Sequence, residues 1–392
     1  MTPTSPQPIP LRLLRAADVY APASMGAQEI LVGGGKILAV GRALGTADAL
    51  AGLVEVVTMP PGKLIPGLID QHVHFIGGGE GDGARMPELR FEDFASAGIT
   101  TAAGLLGSDV EAKTLGLLLR KAHELDRAGM SAHIYTGGMP LPAPHMTQSP
   151  ASDIIQIDKV IGAKSAISER SFPNLDFAAF AALAGSLVQA KGTSGKAAVL
   201  HLHVGRLRTG LEPLFELIDR IGFPPSQAVP SHINRAPGIS PVFEQGIRFA
   251  KDGGFIDFSC CLGPLDGLPS GIDPMEAVLR ALDAGAPAGN ITLSSDAGVA
   301  VPDGQGGARA VPPSILFRDL SRLCIQGGLG WSQALPFFTC NVARALGLSR
   351  HKGAIAPGMD ADLVLVGDDD QIAWTMSRGR IVFDKATSLS RN

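Results

Sequence analysis

The sequence predicts an α/β protein: a (β/α)8 TIM barrel over residues 64–352, with a small β-sandwich domain built from both termini, 1–63 and 353–392. Three observations predict it. Short apolar, β-branched segments alternate eight times with helix-spaced segments in the middle of the chain. Strand-like runs without helices occupy the two ends. Histidine, lysine and aspartate stand at the ends of the predicted barrel strands, where such a fold places its reactive side chains.

The terminal strands are read at 11–14, 29–32, 36–40 and 53–58, broken by turn signals such as Gly33-Gly34-Gly35, and again at 362–366, 372–376 and 380–383. The barrel strands are read at 67–74, 100–106, 132–135, 160–167, 197–204, 228–233, 255–260 and 291–295. Helical spacing of apolar residues is strongest in 110–128, 177–190, 211–221, 241–252 and 274–284. Strands joined by helical crossovers run parallel, and eight such units imply closure. An open doubly wound sheet is the alternative. It fits less well, because Gly77-Gly78-Gly79 after the first barrel strand leads into Glu80, a poor neighbour for pyrophosphate. The segment 140–150, with four prolines and no clear periodicity, is a candidate lid.

Composition narrows the function. Hydrophobic residues are 45% of the chain and charged residues 18%, which excludes a disordered chain. The 33 Lys and Arg against 37 Asp and Glu leave a net charge of −4, which argues against nucleic acid as the main partner. No apolar run reaches membrane-spanning length, and the first ten residues carry no apolar secretory core. Four cysteines do not make a disulfide framework in 392 residues, so a reducing cytoplasm is the expectation.

The chemistry concentrates at five strand ends. His72 and His74 are two apart, so in a strand both imidazoles share one face. A lone pair of this kind is more often two hydrogen-bonded core histidines than a metal site. It gains specificity by sharing the predicted barrel mouth with His203, His232 and Asp296, since nitrogen and oxygen donors suit Zn²⁺ and related ions. His201 also faces inward, but one layer deeper, as a packed or supporting histidine. Lys164 lies in the apolar run 160–167, where a cation is costly to bury. Either it snorkels to the rim, or its neutral amine takes up CO₂ to give a metal-bridging carbamate; the residues alone leave both open. Asp296 can bind a metal, act as general base, or cap the next helix.

These residues, with Pro66-Gly67-Leu68-Ile69-Asp70 before His72 and the run Gly353–Val364, resemble the amidohydrolase superfamily with a binuclear metal centre. More narrowly, Asp70–Gly79, Gly104-Leu105-Leu106-Gly107, Val160-Ile161-Gly162, Ala166-Ile167-Ser168 and His232-Ile233-Asn234-Arg235 are similar to isoaspartyl (β-aspartyl) dipeptidases, over almost the whole chain. The resemblance implies a zinc-dependent hydrolase of small dipeptide or amide substrates. His72, His74 and Asp296 would bind one ion and His203 and His232 the other. N6-carboxylysine at Lys164 and a hydroxide would bridge the two, with Asp296 as general base and then acid. It implies Glu80, with Gly79 beside it, as the reader of the substrate amino group. Arg170 and Arg235 are implied as readers of carboxylates, and Ser108 as a further substrate contact. It also implies a homo-oligomer, with an octamer as one form, which no stretch of the sequence shows by itself.

Three departures accompany the resemblance. The glycine loop before Glu80 is one residue short, Met139 stands where relatives carry a tyrosine, and Ala300 stands where they carry a serine. Tyr135 and His145 are the nearby substitutes for the missing phenol. The metal ligands are complete while the substrate-reading shell is altered, which keeps a cyclic-amide hydrolase of the dihydroorotase or hydantoinase type, or a hydrolase of another N-acyl amino acid, in view. A non-catalytic barrel scaffold is the reading from another class; the intact ligand set opposes it.

Overall fold

Burial alternates along the N-terminal strand at residues 24–33 and is continuous along most of the central strands, and this difference marks a sheet with one wet face from one covered on both. The computed structural model describes residues 11–45, 52–78, 86–172, 175–235, 241–266, 268 and 271–388. At the N-terminal end run β1 (Arg12–Tyr20), β2 (Ser24–Gly33), β3 (Lys36–Gly41), β4 (Glu55–Thr58) and β5 (Gly62–Pro66). In β2, Gln28, Ile30 and Val32 are buried while Glu29 and Leu31 between them are less so, the pattern of a sheet wet on one face.

The central strands are β6 (Leu68–Gly78), β7 (Ile99–Gly104), β8 (Ser131–Gly137), β9 (Val160–Ile167), β10 (Val199–Val204), β11 (Ala228–Ser231), β12 (Ile256–Ser259) and β13 (Ile291–Ser294). Every residue of β6, β7 and β9 is buried, as expected for strands covered on both faces. Strands β6 to β11 pair in chain order, all parallel, and β12 pairs parallel with β13. Helices Leu115–Ala128, Pro150–Gln156, Phe177–Ser194, Glu212–Ile221, Val242–Lys251 and Pro274–Asp283 lie between them. The α/β class and the strand order follow the sequence reading.

The expected unbroken closed barrel differs in one respect. Between β11 and β12, and between β13 and β6, single backbone bonds replace ladders: Ile233 N–H to the Asp257 carbonyl at 3.2 Å, and Asp296 N–H to the His72 carbonyl at 3.1 Å. His232 and Asp296 adopt left-handed backbone (φ 67° and 56°), which ends the strands just before them. After Asp296 comes a hairpin the sequence reading missed, β14 (Ala297–Pro302) beside β6 and β15 (Ala308–Ala310) antiparallel to β14.

At the C-terminal end, β16 (Leu363–Gly367), β17 (Ile372–Ser377) and β18 (Arg380–Asp384) join the N-terminal strands. The expectation was a sandwich of two sheets. Hydrogen bonding instead runs through one mixed sheet ordered β18-β17-β16-β5-β1-β2-β3, with β4 beside the first half of β1 on the edge that β5 takes farther along. It folds over its own core, because β3 also bonds the run before β16: Ile37 N–H to Met359 O at 2.9 Å and Gly358 N–H to Ile37 O at 2.8 Å.

The candidate lid at 140–150 is tied down. The buried Asp153 carboxylate accepts from Met146 N–H at 2.9 Å, Thr147 N–H at 2.8 Å, Thr147 Oγ1 at 2.6 Å and Thr136 Oγ1 at 2.5 Å. Four donors on one carboxylate anchor the loop to β8.

Lys352 joins the terminal sheet to the central strands. Its buried ammonium donates to Ser131 Oγ of β8 at 2.7 Å and to Asp362 Oδ2 at 2.6 Å, and lies 2.8 Å from Asp360 Oδ2. Replacing it by methionine leaves the buried Asp362 charge uncompensated, an effect of about 3–5 kcal/mol. Urea unfolding of Lys352→Met is therefore expected to show a clearly lower midpoint than wild type.

Candidate metal centre

The carboxyl ends of the parallel strands converge on a pocket of about 230 Å³ lined by His72, His74, Lys164, His203, His232 and Asp296, among others. Strand geometry explains the convergence. His72 and His74 share a face of β6, Lys164 pairs with His201 across β9 and β10, and His203 pairs with Ser231 across β10 and β11. Left-handed backbone at His232 and Asp296 turns both side chains in from just past β11 and β13. Gly162 allows β10 to approach β9, since a Cβ there would meet Val199 O at 2.3 Å.

Asp296 Oδ1 lies 3.4 Å from His72 Nε2 and 3.2 Å from His74 Nε2, and the three donors all lie within 4.8 Å of one another. Lys164 Nζ is 3.3 Å from His72 Nε2. The His232 ring stands 4.9 Å from that of His72 and 4.6 Å from that of His203, centroid to centroid, and His232 Nδ1 is 4.0 Å from Asp296 Oδ2.

Outer partners fix the rings of His72, His203 and His232. His72 Nδ1 contacts His201 Nε2 at 2.9 Å and Ser231 Oγ at 3.2 Å, leaving Nε2 toward Asp296. His201 stacks on Tyr135 one layer below. His203 Nε2 donates to Glu169 Oε2 at 3.1 Å, which leaves Nδ1 as its lone pair. His232 Nδ1 lies 2.5 Å from Ser259 Oγ, which leaves Nε2. Ser231 in turn donates to Asp257 Oδ2 at 2.6 Å, as does Ser294, while Gln71 donates to Asp257 Oδ1 at 2.7 Å. Such outer partners orient a metal-binding imidazole and set its tautomer.

Electrostatics favour the deprotonated donors. Burial, then the neighbouring Lys164 charge, pushes His72 well below the usual imidazole range. Burial likewise lowers His232 strongly and His203 to about 4. Burial brings Lys164 down to about 7, so much of its amine is neutral at neutral pH and able to add CO₂. Burial alone would raise Asp296, but the His74 ring beside it, and then Lys164, hold its carboxyl below the ordinary value. Glu169 is drawn down to about 2 by the His203 bond. Neutral imidazoles at His72, His203 and His232, an amine neutral in large part and an ionised carboxylate whose Oδ1 receives no hydrogen bond make a donor set that fits divalent cations.

The substrate shell is assembled in part. Ser108 and Arg235 line the pocket, as do Met139 and Ala300. Glu80 and Gly79 lie outside the described residues. Arg170 is exposed at the tip of the turn after β9 and does not line the pocket. His145 contacts the Ala143 carbonyl instead of the pocket. Sequence reasoning missed Glu169, Arg206, Ser259 and Cys261, whose thiol donates to Asp296 Oδ2 at 3.5 Å. For Glu169 the available signal was an acid two residues past the buried run of β9.

The fold is shared with known proteins. The chain belongs to the amidohydrolase family: the family's sequence profile, described as the Amidohydrolase family, matches residues 196–382, and a structural relative is 31% identical over nearly its full length. It is a hydrolase of that class with a His-His-Asp group able to hold a metal. The relative is the β-aspartyl dipeptidase of Fervidobacterium islandicum AW-1 in complex with β-Asp-Leu, with a TM-score of 0.86 and coverage of 95% of this chain and 97% of that one. The structure described without that dipeptide gives 31% and 0.85 over the same shares. Dihydropyrimidinase from Brevibacillus agri NCHU1002, at 17% identity and TM-score 0.67 over 95% of each chain, shares the fold. The family relationship implies a TIM barrel for the parallel strands. Among the described residues no helix is long and apolar enough to cross a membrane.

Two measurements probe the centre. Between pH 7 and 10.5 the unfolded chain keeps the Lys164 proton while the folded protein sheds it, so metal-free, CO₂-free protein gains stability as pH rises through that window. Chemical denaturation of Lys164→Met should lack this rise. Glu169→Gln is expected to weaken metal binding by about 10–100-fold in chelator competition.

Proposed function

We propose that the chain is a binuclear metal-dependent amidohydrolase that cleaves β-aspartyl dipeptides. The observation that carries this is the convergence of His72, His74, Lys164, His203, His232 and Asp296 on one pocket. The likeness to a structure holding β-Asp-Leu supports the substrate. His72, His74 and Asp296 would hold one ion and His203 and His232 the other, with Lys164 carboxylated between them; zinc suits these donors. Bound there, the ions supply an activated water and a polarised scissile carbonyl.

The chain's own groups complete the reaction. Asp296 accepts the proton of the attacking water and returns it to the departing amine as the C–N bond breaks and a C–O bond forms. Arg235 offers a guanidinium to a substrate carboxylate. The reading includes closure of residues 64–352 as a barrel, supported by the Ile233–Asp257 and Asp296–His72 backbone bonds, with 1–63 and 353–392 as the supporting β domain.

A second reading has an observation of its own. Met139 and Ala300 face the pocket and neither side chain can donate a hydrogen bond to a carbonyl or carboxylate. An enzyme for cyclic amides or other N-acyl amino acids fits that smoother wall.

The test is purified protein, stripped by chelator and titrated with Zn²⁺, assayed on β-Asp-Leu, hydantoin and dihydrouracil. Free aspartate and leucine should appear, with activity saturating near two ions per chain. Turnover of a cyclic amide alone would replace the dipeptidase reading with the second. Asp296→Asn is expected to lower kcat on β-Asp-Leu by about 10²–10⁴-fold.

A further inference from the structure

Two guanidinium groups line the pocket, and sequence reasoning named only one of them. Arg235 follows β11 and Arg206 follows β10. Among the described residues neither makes an ion pair within 4.0 Å, and Arg235 Nε is buried with no hydrogen-bond partner. The nearby carboxylates are already engaged: Glu169 accepts from His203, and Asp296 faces His72 and His74. Arg235 Nη2 lies 3.4 Å from the same His203 nitrogen that Glu169 holds, so that contact does not satisfy its charge. Besides burial, the charge of Arg206 acts to lower the Arg235 pKa. Two like charges sharing a pocket wall repel until an anion lies between them.

The backbone explains why Arg206, and not Arg170, is at the pocket. Gly205 N–H donates to Ile167 O and Leu207 N–H to Ser168 O, each at 2.9 Å, so the residues flanking Arg206 are pinned to the end of β9. A Cβ on Gly205 would meet Ser168 O at 2.3 Å, so only glycine permits this approach. In the turn it is pinned against, Glu169 takes the inward position on His203. Arg170 is left at the exposed tip, its N–H donating to Glu169 Oε1 at 2.7 Å.

We propose that Arg206, rather than Arg170, joins Arg235 as a clamp for a substrate carboxylate and so selects anionic amides. The clamp deepens the amidohydrolase reading and rests on it. Met139, Leu262, Leu268, Val299 and Val301 also line the pocket and are apolar, so apart from the candidate metal donors the two guanidinium groups are the charged side chains among the described lining residues. Arg206 is a specificity residue, and the chemistry at Asp296 does not pass through it.

Two readouts test it on zinc-loaded enzyme. Arg206→Gln should raise KM for β-Asp-Leu about tenfold or more with a smaller change in kcat, and Arg206→Lys should fall between that variant and wild type. Independently of turnover, succinate should slow phenylglyoxal modification of Arg206, mapped by mass spectrometry, while the exposed Arg170 reacts at an unchanged rate. A KM within twofold of wild type in Arg206→Gln, or no succinate protection of Arg206, overturns the clamp. If β-Asp-Leu is not cleaved but succinate still protects Arg206, the clamp stands and the dipeptide assignment falls. If β-Asp-Leu is cleaved and Arg206 is unprotected, the assignment stands and the clamp falls.

Discussion

The interior depends on one buried carboxylate. Asp257 of β12 receives Gln71 from β6, Ser231 from β11, and Thr292 and Ser294 from β13. These are the strands between which the backbone ladder is interrupted. Side-chain bonds thus take over where main-chain bonds run out. Burial lifts the Asp257 carboxyl to about 6 against the pull of its four donors, so at neutral pH it is mainly the ionised form that all four hold. The same cluster reaches the surface of the pocket, because Ser231 also touches His72. Strand cohesion and the orientation of a metal-binding ring are one network, which follows from seating chemistry where parallel strands end.

Much of this was legible in the residues. Period-two and continuous apolar runs located all eight central strands, with β9 read at both ends as observed, because burial on both faces leaves so plain a mark. The helix read from 110 begins only at Leu115, where Thr114 accepts Leu117 N–H as a cap and the preceding residues form a turn. The hairpin after Asp296 was invisible: β15 is three residues long and half-exposed, too short for a pattern. The continuity of the terminal sheet was likewise hidden, since strand pairing over hundreds of residues leaves no local trace.

At the site, the histidines and Asp296 were readable because strand ends are few and metal donors are chemically distinctive. Of the two arginines proposed to read a carboxylate, Arg235 was named from the sequence and Arg206 was not. Arginines are common on any rim, and whether one faces inward depends on which neighbour takes the inner place of a turn. Glu169 takes it after β9, and Gly205 opens it after β10. The family relationship carries the hydrolytic chemistry, while Met139, Ala300 and Arg206 line the same pocket as the candidate metal donors.

The terminal sheet has a consequence for synthesis. Strand β5 bonds β16, and the two lie about 300 residues apart, a length that takes a ribosome roughly 15–60 s to make. Through that interval β5 has no partner on its β16 side, and the apolar residues destined for the joint core stay uncovered. Until β16 to β18 emerge the nascent chain carries an open strand edge and bare apolar side chains, and deleting the final forty residues would make that exposure permanent.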